Sequence, residues 1–104
     1  MEILSKDKLL NLSGKTAIVT GGSSGIGYGI SYRLAEAGAN VVITSRNLEE
    51  VNKAVEELKQ KGFKAAGVKT DVAQEAEVKN LVNETVKDFG SVDILVNNAG
   101  IFPF

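Results

Sequence analysis

The sequence predicts an α/β fold with a parallel sheet wound in both directions, on three observations. Four short runs rich in Val, Ile and Thr recur along the chain, at Lys15–Thr20, Asn40–Thr44, Lys64–Thr70 and Val92–Asn97. Three longer segments with helical spacing separate them, and Gly38, Gly62 and Gly90 each stand just past the end of one. Continuous apolar runs suit strands covered on both faces. Strand and helix in alternation, closed by a fourth strand, imply right-handed crossovers between parallel strands.

Each element has its own signal. Ile26, Ile30 and Leu34 repeat every four residues and predict the first helix, with that stripe as its apolar face. Leu48, Val51, Val55 and Leu58 mark the second helix, and Asn47 with Glu50 three residues later reads as its capping box. Val78, Leu81, Val82, Thr85, Val86 and Phe89 form the third stripe. Asp71 is a candidate N-cap for that helix. The glycines after the helices suit left-handed closing residues. Glu49–Lys53, Glu57–Lys61 and Glu75–Lys79 are i,i+4 pairs in the favourable order and read as solvated helix faces. Before the first strand, Ile3, Leu4, Leu9, Leu10 and Leu12 suit a short amphipathic turn lying on the domain.

Composition narrows the chemistry. The 104 residues are 43% hydrophobic and 24% charged, ordinary values for a folded domain. Twelve basic against thirteen acidic side chains give a net charge of −1, without the basic excess of a nucleic-acid or anionic-membrane binder. There is no Cys and no His, so disulfide frameworks, zinc knuckles, thiol nucleophiles and imidazole bases are excluded from these residues. No metal site is expected. The first twelve residues are broken by Glu2, Lys6, Asp7 and Lys8, and no apolar run approaches the ~20 residues that cross a bilayer. A cytoplasmic protein is expected.

The most informative stretch is Thr20-Gly21-Gly22-Ser23-Ser24-Gly25-Ile26-Gly27, between the first strand and the first helix. In open α/β sheets, ligands bind beyond the carboxyl ends of the strands, where the winding reverses. Glycines there permit a sharp turn and close approach by a diphosphate, and the helix start presents N–H groups and a favourable dipole. A P-loop would need Gly-Lys-Ser/Thr at its end, but Gly25 is followed by Ile26 and Gly27. The spacing also differs from G-x-G-x-x-G. It resembles the T-G-x-x-x-G-x-G signature of the short-chain dehydrogenase/reductase family, and the resemblance runs from about Leu12 to the end.

That resemblance implies a Rossmann-like, doubly wound sheet truncated after the fourth strand. It reads residues 1–104 as part of an NAD(P)-binding domain, with 1–13 an N-terminal extension. It places Gly21, Ser23, Ser24, Gly25, Ile26 and Gly27 against a nicotinamide dinucleotide. Asp71 and Val72 would flank its adenine. Asn97-Asn98-Ala99-Gly100 matches the family's N-N-A-G motif. By resemblance Asn97 ties strand ends together, while Asn98, Ala99 and Gly100 lie at the cofactor, with Thr20 structural at the same junction. At the end of the second strand, Ser45 stands where NAD-preferring members carry an acid, and Arg46 follows. An acid would repel a 2′-phosphate, whereas a guanidinium binds it by charge-assisted bonds. NADP(H) is therefore expected over NAD(H).

Carbonyl reduction also needs a proton donor beside the reacting oxygen. The family supplies a Ser, a Tyr-x-x-x-Lys pair and a helix Asn after the N-N-A-G strand, whereas only four residues follow Gly100 here. Tyr28 and Tyr32 are followed four positions later by Tyr32 and Glu36, so neither begins that motif. No catalytic residue is assigned. The expectation is the cofactor-binding part of an oxidoreductase acting on an unknown alcohol or carbonyl substrate, inactive alone. The alternatives are a non-catalytic dinucleotide-binding module and a piece that completes its fold with a partner chain. The last strand, apolar yet at an edge, predicts that the isolated chain self-associates or is unstable.

Overall fold

The computed structural model describes residues 11–98. Its order is β1 (Thr16–Thr20), α1 (Gly25–Glu36), β2 (Asn40–Ser45), α2 (Leu48–Gln60), β3 (Ala65–Lys69), α3 (Glu75–Phe89) and β4 (Ile94–Asn97). The expected α/β alternation is present throughout. All strand pairs are parallel, in the order β3-β2-β1-β4. The chain steps outward from β1 to β2 to β3, then crosses back to lay β4 on the other side of β1. The winding therefore reverses between β1 and β4, which opens a crevice at their carboxyl ends.

Burial follows the winding. Val19, Val41 and Ile43 face α1 and α2 and join Ala35, Val51, Ala54 and Leu58 in the larger core cluster. Ile18 and Val42, on alternate positions, face the other way and meet Leu81 of α3. β1 is buried along its whole length, as its uninterrupted apolar pattern requires. Thr16 at its start is also fixed from β4's side, where the Asp93 carboxylate accepts from Thr16 N at 2.9 Å. Leu12 packs on the larger cluster, and its N–H donates to Ala37 O at 2.7 Å. Ile3, Leu4, Leu9 and Leu10 lie outside the described residues.

Two local expectations change. The buried face of α1 is only partly the Ile26-Ile30-Leu34 stripe: Ile30 and Leu34 pack half-buried on the core, but the fully buried row is Gly27, Ser31 and Ala35, and Ile26 is 79% exposed. Small side chains win because the helix start must lie almost on the backbone of β1's final bend. Asp71 does not cap α3, whose N-cap is Gln74. Its carboxylate instead accepts from Ala73 N at 3.0 Å, closing a turn ahead of the helix. The other punctuation holds. Asn47 accepts from Glu50 N at 3.1 Å, and Gly38, Gly62 and Gly90 all have positive φ. Of the three expected helix-face ion pairs, Glu75–Lys79 forms among the described residues, at 3.6 Å and well exposed. On α3 only Leu81 and Thr85 are buried, leaving Val82 and Val86 more than 40% exposed.

Candidate functional site: the bend after β1

The bend is fixed by backbone geometry before any ligand is considered. Gly21 and Gly25 have φ of 64° and 56°, in the left-handed region where a side chain is strained. Gly21 N donates to Thr44 O at 2.8 Å, which holds the chain at the tip of β2 before it turns. Gly27 is required by space. A Cβ there would collide with the carbonyl of Gly21 and come within 2.6 Å of Asn98 Nδ2.

Three glycines in its first two turns make α1 a poor helix by propensity, at roughly 1 kcal/mol each relative to Ala. Packing and one buried hydroxyl hold it. Ser31, fully buried, places its Oγ 2.9 Å from Gly27 O and 3.3 Å from Gly22 O, linking the helix to the bend beneath it. Sequence reasoning missed Ser31. The available signal was the i,i+4 row of small residues Gly27-Ser31-Ala35.

The end of β4 completes the frame. Asn98 donates from Nδ2 to Gly21 O at 3.2 Å and from its backbone N–H to Thr20 Oγ1 at 2.9 Å. The Thr20 hydroxyl lies 3.1 Å from Asn97 Oδ1 and 3.3 Å from Val96 O. Thr20 and Asn97 thus tie β1 to β4 across the point where the winding reverses. Ala99 and Gly100, expected beside them, lie outside the described residues.

The outer side of the bend is open. Ser24 and Gly25 are exposed, and a Cβ on Gly25 would meet nothing within 4 Å. The first intrahelical hydrogen bond runs from Tyr28 N to Ser24 O at 3.2 Å. The N–H groups before it, through Gly25, Ile26 and Gly27, have no carbonyl of the preceding turn to bind. Ser24 occupies the N-cap with no side-chain capping bond. The result is a short row of main-chain donors at the positive end of a helix, exposed at Ser24, Gly25 and Ile26. A diphosphate fits that shape and polarity.

The remaining expected residues follow the carboxyl ends of β2 and β3. Ser45 ends β2; its hydroxyl accepts from Asn47 N at 3.1 Å and donates to Asn47 O at 3.3 Å, a local turn that engages it. Arg46 is exposed and forms no ion pair among the described residues. Asp71 N is held by Glu77 Oε1 at 2.9 Å, and Val72 beside it is 40% exposed. Tyr28 and Tyr32 stand on α1 in a ring chain, Tyr28 to Tyr32 at 6.4 Å and Tyr32 edge-on to Phe63 at 5.4 Å. Burial, then a hydrogen bond to Glu57, pushes the Tyr28 phenol above its ordinary value. That direction is opposite to what a phenol transferring protons near neutral pH needs.

A parallel sheet whose winding reverses beside a glycine bend defines a Rossmann-like dinucleotide-binding fold. Comparison with known proteins gives the family. Residues 15–104 match the family model described as short chain dehydrogenase, and the chain belongs to that family. It is 44% identical over 104 residues to tropinone reductase-like 3 of Erythroxylum coca, covering 99% of this chain and 40% of that protein. A crystal structure of hydroxysteroid dehydrogenase from Escherichia coli superposes with a TM-score of 0.88 at 42% identity, over 97% of this chain and 42% of the other. A single-substitution variant of actinorhodin polyketide ketoreductase, solved with NADPH, gives 0.81 at 37% identity, over 94% and 36%. The chain therefore spans about two fifths of the length of these relatives. Among the described residues, no helix is long and apolar enough to cross a membrane.

Proposed function

We propose that this chain is the NADP(H)-binding part of a cytoplasmic oxidoreductase acting on an alcohol or carbonyl substrate. The observation that carries the reading is the exposed helix start at Ser24, Gly25 and Ile26, held in place by a buried Gly27 that tolerates no side chain. In this reading Gly21, Ser23, Ser24, Gly25, Ile26 and Gly27 cradle the diphosphate, and Asn98 fixes the bend by gripping Gly21 O. Asp71 and Val72 flank the adenine. Ala99 and Gly100 continue the cradle toward the nicotinamide ribose. When bound, the dinucleotide supplies or takes up a hydride; the residues of this chain bind and orient it.

Discrimination between the two dinucleotides falls to Arg46. Ser45 is neutral and engaged by Asn47, so no acid stands there to repel a 2′-phosphate, and the neighbouring guanidinium has no ion-pair partner among the described residues. The relative solved with NADPH supports the same direction. Arg46→Ala should weaken NADPH binding much more than NADH binding in parallel calorimetric titrations. Equal losses for both would refute the assignment.

These residues alone are proposed to turn over no substrate, because Tyr28 is engaged by Glu57 and Tyr32 packs on Phe63. A second reading rests on β4. Its outer edge pairs with no strand among the described residues, and Leu95 is 65% exposed on the α3 face. The chain by itself would self-associate through that edge. Light scattering that returns a concentration-independent monomer would remove this reading.

A further inference from the structure

The Ser31 hydroxyl makes one contact that its helix does not require. The bond from its Oγ to Gly27 O, one turn back at 2.9 Å, is the ordinary one for a serine inside a helix. The same Oγ lies 3.3 Å from Gly22 O, outside the helix and in the bend, so its single proton is shared between two carbonyls. Among the described residues no other donor reaches Gly22 O. Gly22 is buried, and a Cβ on it would come within 2.8 Å of Ser31 Oγ and 2.9 Å of Val19 O. The bend is thus clamped between β1 and α1 at this residue.

A trans peptide unit is planar, so its N–H points opposite to its C=O. Holding Gly22 O toward the buried Ser31 therefore turns the next N–H, that of Ser23, away from the core. Ser23 is half-buried, and no backbone carbonyl of the described residues accepts from its N–H. Glycine on one side leaves this peptide free to flip. Flipped, it would present a carbonyl oxygen where it now presents a donor, and the run of N–H groups that suits an anion would be broken.

We propose that Ser31 is a positioning residue for the bound dinucleotide: its hydroxyl sets the Gly22–Ser23 peptide so that Ser23 N–H serves the diphosphate ahead of the helix start. The inference rests on the dinucleotide reading but not on the choice between NADP(H) and NAD(H), because both carry the diphosphate. Ser31 is fully buried and acts only through the peptide it holds.

The test titrates the full chain, wild type and Ser31→Ala, with NADPH and NADH by calorimetry and by amide-resolved NMR. In wild type the Ser23 amide signal should move on binding, together with those of Gly25 and Ile26. Ser31→Ala should weaken both dinucleotides alike, by about tenfold, as expected for one lost hydrogen bond to a charged group. At saturation the variant should keep the Gly25 and Ile26 shifts and lose that of Ser23, a pattern that a general loss of packing would not produce. If Ser23 stays unmoved in wild type while Gly25 and Ile26 shift, or if Ser31→Ala binds within about twofold of wild type, Ser31 has no such role and the dinucleotide reading stands. If the variant loses all three shifts along with its thermal transition, the hydroxyl serves folding alone and the proposal fails. If wild type binds neither dinucleotide, proposal and reading fall together.

Discussion

The two faces of the sheet are built to different standards. On one, α1 and α2 cover Val19, Val41 and Ile43, and Val51 and Leu58 are fully buried. On the other, α3 alone covers Ile18 and Val42 through Leu81, while Val82, Val86 and Leu95 remain 41–65% exposed. The bend lies over the better-packed face, where α1 presses on β1 through Gly27 and Ser31. Precision at the N–H row comes from that packing, because a donor array displaced by an ångström no longer converges on one anion.

Gly27→Val should have the largest effect. Its side chain would enter the space held by Gly21 O and Asn98 Nδ2, displacing α1 from β1. Dinucleotide binding should vanish and the denaturation midpoint fall steeply; retained binding by calorimetry would mean the bend can open elsewhere. Next, Leu58→Ala on the packed face should cost about 2–5 kcal/mol, whereas Val86→Ala on the open face should stay within about 0.5 kcal/mol. Urea titrations of the two variants measure this difference, and equal losses would show the faces to be equally packed.

Thr44 sharpens the comparison from the opposite direction. It is fully buried, and its Oγ1 has no hydrogen-bond partner among the described residues. Thr44→Val keeps the shape and removes the stranded hydroxyl, so stability should rise by up to about 1 kcal/mol; a loss in the same urea titration would reveal a partner for that oxygen. The smallest effect is expected at Asp93, which joins the starts of β1 and β4. Bonds from Thr16 N, then from the Ser91 hydroxyl, hold its carboxyl below the ordinary value. A depressed folded-state pKa gives stability that is complete above the unfolded-state value and is lost as pH falls through the folded one. The gap between wild type and Asp93→Asn should therefore be constant near neutrality and close in acid. A gap that persists at the acid end would assign it to shape instead of charge.

Much of the fold was legible because strand and helix periods differ and the glycines mark the boundaries. Lys15–Thr20 and Asn40–Thr44 announce interior strands by their lack of polar alternation, and both are buried almost completely. The first helix misled in part: Ile30 and Leu34 do pack against the core, but Ile26, the first of the predicted stripe, does not. Ile26 is set outward at the mouth of the bend, and Gly27, Ser31 and Ala35 make the contact, a pattern that hydrophobicity alone does not register. Asp71 misled for a related reason: Asp closes turns as readily as it caps helices, and α3 starts one turn later. The glycine bend could be located from spacing. Ser31 was harder to find, since only the i,i+4 row of small residues Gly27-Ser31-Ala35 marks the helix face that meets the bend.

The most direct measurement is an amide-resolved NMR titration of the chain with NADPH, following the N–H signals of the bend. The account predicts that Ser24, Gly25, Ile26 and Gly27 shift first and furthest and become slower to exchange with solvent. Unmoved signals at those four positions, with binding detected elsewhere on the chain, would contradict it.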